Sequence, residues 1–118
     1  MEFEDIVADL LSNEGYATTK GKRRKDGGVD IYAEKNMPRV GRILTVWQAK
    51  HYNISNKVGL GIIRELADTR NELDASKGII VTSSFLTKGA IERITRDKYL
   101  LEKVDRKDLL DWIIQSRT

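Results

Sequence analysis

The sequence predicts an α/β domain in which a mixed central sheet is flanked by helices. Three strand-forming segments follow one another closely between residues 16 and 50, and short polar turns join them, which is typical of an antiparallel meander. A helical segment at 58–73 then leads into a compact apolar strand at 78–82, which favours a strand–helix–strand unit. Amphipathic segments at both ends of the chain can cover such a sheet.

The first half of the chain predicts one helix and three strands. Apolar residues recur at helical spacing over residues 2–13, and Gly15 ends that helix as a C-terminal glycine cap does. Strands are predicted at residues 16–20, 28–34 and 42–50. The last of these is rich in β-branched and aromatic residues. Pro38 and Asn36 mark residues 35–41 as a hairpin loop.

The second half predicts alternating helices and strands. The helix at 58–73 carries one apolar face, and the strand at 78–82 is uniformly apolar, as expected of a strand buried on both sides. Thr87 is a predicted cap for a helix that continues through Ile94. A short strand at 100–104 precedes a final helix, which Asp105 and Asp108 open as a capping pair.

Composition limits the classes of protein that this chain can represent. Its 118 residues predict one domain, residues 1–118, with no separate DNA-recognition domain. The absence of cysteine excludes disulfides and thiolate metal sites. The acidic start is wrong for a signal peptide, and no apolar run approaches the ~20 residues that span a bilayer. We therefore expect a cytoplasmic protein that does not engage a membrane.

Three polar residues on neighbouring predicted strands suggest a site. Alternation along the strand 28–34 places the apolar residues from Val29 to Ala33 on one face and Asp30 on the other. Gln48 and Lys50 project together from the next strand. If the two strands pair, the three side chains meet. An acid, an amide oxygen and a lysine around one point can hold a hard cation and a phosphate.

A run of basic residues directly precedes the glycine turn at Gly27 and Gly28. Net charge is only +3, which alone does not imply a nucleic-acid partner. The run has two interpretations, a solvated loop or a contact with a phosphate backbone, and its place beside the site favours the second. The predicted DNA-binding residues of this run are Lys20, Lys22, Arg23, Arg24 and Lys25.

Five short patterns in this order resemble the Mrr-like restriction endonucleases, a branch of the PD-(D/E)xK nuclease superfamily. They are Phe3-Glu4, Gly15-Tyr16, Gly27-Gly28-Val29-Asp30-Ile31, Gln48-Ala49-Lys50, and the segment from Gly78 to Phe85 followed by Thr87-Lys88-Gly89-Ala90. The resemblance covers nearly the whole chain. It implies a restriction-endonuclease-like α-β-β-β-α-β core.

The resemblance also implies hydrolysis of DNA phosphodiester bonds with Mg²⁺, for which Mn²⁺ could substitute. By position, Asp30 would be the principal metal ligand and Gln48 would hold the same ion through its amide oxygen. Glu4 would support the metal through water. Lys50 would orient the attacking water and stabilise charge at phosphorus. Gln48 replaces the glutamate of other members of the superfamily, which predicts weaker metal binding without DNA.

Several of these residues also have simpler interpretations. Asp30 could cap a turn, and Glu4 could merely favour the start of its helix. His51 is interpreted as a surface or DNA-contacting residue. A strand exit followed by a helix start can bind anions, which makes Ser83, Ser84 and Lys88 candidate DNA contacts, but a strand end and a cap would look the same.

Three functions remain open from the sequence. The first is an Mrr-like Mg²⁺-dependent DNA endonuclease, for which a homodimer is attractive because cutting two strands requires two sites. The second is a Holliday-junction resolvase-like nuclease, against which Gln48 argues. The third is a catalytically inactive DNA-binding module on the same fold. Sequence, structure or methylation preference for DNA is not encoded in these patterns.

Overall fold

The computed structural model describes residues 2–21 and 28–117, which form four helices and a five-stranded sheet in the order expected. The elements are α1 (Phe3–Asn13), β1 (Ala17–Lys20), β2 (Ile31–Met37), β3 (Gly41–Lys50), α2 (Leu60–Glu72), β4 (Lys77–Thr82), α3 (Lys88–Arg96), β5 (Leu101–Val104) and α4 (Arg106–Ser116). The predicted α/β class and mixed sheet are confirmed.

The sheet brings distant parts of the chain to one edge. Its strands lie in sequence order; β1–β2 and β2–β3 are antiparallel, and β3–β4 and β4–β5 are parallel. Ile31, the first residue of β2, pairs with Trp47, and Lys50, the last residue of β3, pairs with Thr82. The start of β2 therefore lies beside the ends of β3 and β4.

Helices cover both faces of the sheet, and each face has its own apolar core. On one face Val46 and Ile80 pack with Ile63 and Leu66 of α2 and with Ile94 of α3. The opposite core joins α1 and α4 to the sheet. It contains Val7, Leu10, Leu11, Ile31, Ala33, Trp47, Ile79, Val81 and Leu109. This three-layer arrangement follows from amphipathic helices and a central strand that is apolar on both sides.

The helix ends use the caps that the sequence indicates. Gly15 follows α1 with a φ of +92°, and its N–H donates to the Ser12 carbonyl (3.0 Å). The Thr87 hydroxyl accepts from the Ala90 N–H (3.2 Å) at the start of α3. At α4, the Asp108 N–H donates to Asp105 (3.0 Å). Partial burial alone would raise the pKa of Asp105, but this bond and the Lys103 ammonium hold it below its usual value.

One sequence prediction about β2 is wrong. Val29 belongs to the core under α2 and α3, whereas Ile31 and Ala33 belong to the core under α1 and α4, so these residues do not share one apolar face. The alternation fails because β2 begins at Ile31, and the chain enters it from Gly28 at a φ of +83°. At its other end β2 extends to Met37, which pairs with Gly41 and leaves only a tight turn.

Part of the predicted basic run lies outside the described residues. This applies to Lys22, Arg23, Arg24 and Lys25, and also to Asp26 and Gly27. Over residues 2–21 and 28–117, no helix combines the length and apolar character that crossing a bilayer requires.

Candidate active site

Asp30 is fixed between β1 and β3 by three hydrogen bonds. Its own N–H donates to the Trp47 carbonyl (2.8 Å), and its carbonyl accepts from the Gly21 N–H (2.9 Å). Its carboxylate oxygen Oδ2 accepts from the Ala49 N–H (2.7 Å). A charge-assisted bond of this length holds a carboxylate in one orientation. The aspartate therefore lies against the middle residue of the segment Gln48-Ala49-Lys50, 19 positions away in sequence.

Glu4 shares a cavity with Asp30. The cavity measures about 270 Å³, and the residues that line it are Glu2, Glu4, Lys20, Gly21 and Asp30. Glu4 reaches it from the first turn of α1, and the Glu2 N–H donates to Asp5 (3.2 Å) to hold that turn. Lys20 forms an ion pair with Asp5 at the same place. Carboxylates from two separate elements thus face one partly enclosed space.

Lys50 ends β3 close to the start of α1. Its carbonyl accepts from the Thr82 hydroxyl (2.7 Å) and from the Tyr52 N–H (3.1 Å), so its backbone is fixed independently of its side chain. The next residue, His51, stacks on Phe3 with ring centroids 5.1 Å apart and planes inclined by 13°. This aromatic contact joins the end of β3 to the helical turn that carries Glu4.

Gln48 is fully buried and contacts a residue that the sequence patterns do not single out. Its Nε2 donates to Oε1 of Glu65 in α2 at 3.0 Å. Gly28 lies against both groups. A Cβ at position 28 would stand 2.6 Å from Gln48 Nε2 and 2.7 Å from Glu65 Oε1. Glycine is required here both for its positive φ and for the close approach of the amide and the carboxylate.

Replacing Gly28 with alanine should therefore destabilise the fold more than a positive φ alone would. The backbone cost of a left-handed alanine is about 1–2 kcal/mol. Crowding of the Gln48 amide should add about 1–3 kcal/mol. Gly41→Ala is a matched control, because Gly41 has a φ of +94° and a Cβ there would meet nothing within 4 Å. Urea unfolding measures the free energy of unfolding of both variants. An equal loss of unfolding free energy in the two would show that position 28 is not crowded.

The predicted DNA-contacting residues that the structure describes occupy different environments. His51 and Lys88 are exposed, and Lys88 is the first residue of α3. Ser83 donates its hydroxyl to the Tyr52 carbonyl (2.8 Å). Ser84 is fully buried and donates to the Ile54 carbonyl (3.3 Å). The two serine hydroxyls thus hold the loop that follows β3 in place.

Glu65 and Glu2 are absent from the set of residues that the sequence predicts for this site. Glu2 lies beside Glu4 and could have been included on proximity alone. Glu65 precedes the buried Leu66 in α2, at the border of the apolar face, where a long carboxylate can reach over the sheet. A polar residue at such a border, in the helix that follows the Gln-x-Lys strand, is the only sequence signal that could have indicated it.

The family model of the Mrr catalytic domain, described as a restriction endonuclease, matches residues 1–113. The chain belongs to the Mrr-type restriction endonuclease family. This confirms the resemblance read from the five short patterns. No curated protein sequence matches the chain.

Solved structures show that the Mrr-type fold is shared with larger proteins. The DNA modification-dependent restriction endonuclease AspBHI matches with a TM-score of 0.82 at 18% identity, over 98% of this chain and 31% of that one. A protein of unknown function matches with a TM-score of 0.67 at 17% identity, over 86% of this chain and 56% of that one. MspJI restriction endonuclease, solved in complex with a 27-mer oligonucleotide, matches with a TM-score of 0.61 at 19% identity. This match covers 93% of this chain and 26% of that one. The chain thus spans about a third of AspBHI and about a quarter of MspJI.

The donor set of this Mrr-type domain fits Mg²⁺ better than it fits a metal ion whose ligands must all come from the protein. No group of three or more His, Cys, Asp or Glu side chains within the described ranges could hold a metal. Glu4 and Asp30 nevertheless line one cavity. Mg²⁺ is usually bound by one or two carboxylates together with waters and substrate phosphates. Two carboxylates that line one open cavity are compatible with this mode of Mg²⁺ binding.

Proposed function

We propose that this domain is a Mg²⁺-dependent DNA endonuclease, in which Mn²⁺ could replace Mg²⁺. The observation that supports the proposal best is the position of the Asp30 carboxylate. It is bonded to the Ala49 N–H (2.7 Å) within the Gln-x-Lys segment, and Asp30 shares its cavity with Glu4. Membership of the restriction endonuclease family supports the reaction class.

Asp30 and Glu4 are the proposed carboxylate ligands, and the Gln48 amide oxygen is the proposed neutral ligand. The bond to Ala49 occupies Oδ2 of Asp30 and holds the carboxylate at the end of β3. The helical turn carrying Glu4 is fixed against β3 by the stack of Phe3 on His51. When bound, Mg²⁺ would lower the pKa of its water and offset the negative charge that develops on phosphate.

Lys50 is proposed to orient the attacking water and to stabilise charge on the phosphate. Hydrogen bonds to its carbonyl from the Thr82 hydroxyl and from the Tyr52 and Ser83 N–H groups keep the root of the side chain in place. A fixed cation where charge develops stabilises a transition state more than a ground state. Lys50 thus contributes to the chemical step, whereas Asp30 and Glu4 contribute to ion binding.

DNA is the proposed substrate. MspJI, a structural relative, was solved with an oligonucleotide, which supports this choice. The cation run at Lys20 and Lys22–Lys25 is proposed to contact the DNA backbone, although only Lys20 lies within the described residues. A homodimer would place two sites on one duplex, so double-strand cutting favours that assembly.

A cleavage assay on supercoiled plasmid tests the proposal directly. The unaltered protein is incubated with methylated plasmid, unmethylated plasmid and a synthetic four-way junction, each with millimolar Mg²⁺, with Mn²⁺ and with chelator. Nicked and linear products that require the metal support the endonuclease. Selective cutting of the junction would favour a resolvase-like activity instead. Tight DNA binding without product in either metal would contradict the proposal and favour an inactive DNA-binding module.

A further inference from the structure

The Gln48 amide is held by a carboxylate of α2 that lies 17 residues later in the sequence. Gln48 is 0% exposed, and its Nε2 donates to Glu65 Oε1 at 3.0 Å. Glu65 itself is exposed and lies in the second turn of α2. A hydrogen bond between a buried amide and a carboxylate is stronger than one between two neutral groups.

This contact decides which end of the amide faces α2. A glutamine side chain carries a donor on one branch and an acceptor on the other, whereas an ionised carboxylate only accepts. Glu65 therefore selects the Nε2 branch, and the Oε1 branch must point away from α2. Oxygen is the atom that a hard cation requires from an amide, so the orientation of Gln48 decides whether it can serve as a ligand.

Gly28 leaves room for this arrangement because it has no side chain. Its backbone is close enough that a Cβ would stand 2.6 Å from Gln48 Nε2 and 2.7 Å from Glu65 Oε1. The amide is thus enclosed by the turn before Asp30 on one side and by α2 on the other. Any side chain at position 28 would therefore displace the Gln48 amide, the Glu65 carboxylate or both.

We propose that Glu65 is a positioning residue that turns the Gln48 amide oxygen away from α2 and thereby sets the affinity of the site for Mg²⁺. The orientation of the amide follows from its contacts alone, whereas its effect on Mg²⁺ affinity rests on the proposed nuclease function. Partners that orient a metal ligand typically change metal affinity or activity by about 10–100-fold when they are removed.

Two substitutions at Glu65 separate the hydrogen bond from the selection of one amide branch. Glu65→Gln keeps a hydrogen-bonding partner for Gln48, but its amide can donate as well as accept and therefore no longer selects the Nε2 branch. Glu65→Ala removes the partner altogether. Glu72→Ala is the matched control, since Glu72 is exposed two turns further along α2 and carries the same charge. Because Glu65 and Glu72 are both exposed, all three variants should fold, which circular dichroism and urea unfolding verify.

The first measurement does not depend on cleavage. The side-chain ¹⁵N–¹H₂ signals of Gln48 are assigned by their loss in Gln48→Glu and are followed in the free protein. They should shift in Glu65→Ala and in Glu65→Gln, and should stay close to their original positions in Glu72→Ala. The second measurement is the Mg²⁺ concentration for half-maximal plasmid cleavage. It should rise by about tenfold or more in Glu65→Ala, should rise in Glu65→Gln as well, and should change by less than about threefold in Glu72→Ala.

Each outcome decides for or against the positioning role. Unchanged Gln48 signals in Glu65→Ala would overturn it. A half-maximal Mg²⁺ concentration in Glu65→Gln within about threefold of the original would also overturn it, because an acceptor-only partner for the amide would then not be needed. If the unaltered chain cuts no DNA, the proposed function fails, and the Gln48 signals alone still support or overturn the orientation by Glu65.

Discussion

Replacing Asp30 with asparagine is expected to lower the rate of plasmid cleavage by at least about a thousandfold. Asparagine has nearly the same shape, and its side-chain oxygen can still accept the Ala49 N–H bond that the carboxylate accepts at 2.7 Å. What it removes is the negative charge proposed to bind Mg²⁺. Ion stabilisation of the transition state is worth several kcal/mol, and each 1.36 kcal/mol is a factor of ten in rate. Initial rates on supercoiled plasmid measure the effect.

The structural cost of this substitution should be small. Because the bond to Ala49 is retained, the free energy of unfolding measured in urea should fall by about 1 kcal/mol or less. Asp30→Ala, which leaves the Ala49 N–H without that acceptor, should cost about 1–3 kcal/mol. Asp9→Asn makes the same chemical change at an exposed position of α1 and should leave the rate unaltered. A cleavage rate within tenfold of the original in Asp30→Asn would rule out Asp30 as the principal ligand.

Truncation of Lys50 to alanine should lower the cleavage rate by about 10²–10³-fold. Losing one preorganised donor to developing charge typically has that effect on the chemical step. The strand itself should not move, because the Lys50 carbonyl is held by the Thr82 hydroxyl (2.7 Å) and the Tyr52 N–H (3.1 Å) whatever the side chain. Single-turnover kinetics at saturating protein isolate this step.

Metal binding distinguishes Lys50 from Asp30. Calorimetric titration of Mg²⁺ into the complex with a non-cleavable DNA should show a loss of binding in Asp30→Asn and nearly unchanged binding in Lys50→Ala. Lys50→Arg keeps the charge on a planar, wider group and should restore only part of the rate. Lys107→Ala removes an exposed lysine of α4 and is the control. An unchanged single-turnover rate in Lys50→Ala would refute its role in the chemical step.

The sequence predicted those parts of the fold that local physical chemistry determines. The alternation of β3 side chains between the two cores, the apolar faces of the helices, and the caps at Gly15, Thr87 and Asp105 depend on neighbours within a few residues. The pairing of β2 with β3 was predictable because a short turn leaves antiparallel strands little choice of partner. These local signals agree with one another, which is why the element order was predicted correctly.

The details that sequence patterns do not predict depend on tertiary contacts. Strict alternation places Val29 on the wrong face, because the segment before β2 enters the strand from a left-handed glycine. No local pattern indicates Glu65, because its partner Gln48 is 17 positions away and on a different kind of element. The Phe3–His51 stack, which places Glu4 near the end of β3, likewise joins residues that no local pattern relates.

The short contact between Gln48 and Glu65 also constrains how the candidate site can vary over evolution. Changing Gln48 to glutamate would restore the Glu-x-Lys pattern of the wider superfamily. It would also set two carboxylates about 3.0 Å apart in a site where position 48 is fully buried. Like charges at that separation cannot both ionise without a large energetic cost. Positions 48 and 65 should therefore change together among descendants of this chain, with a neutral or basic side chain in α2 accompanying any return to glutamate in β3.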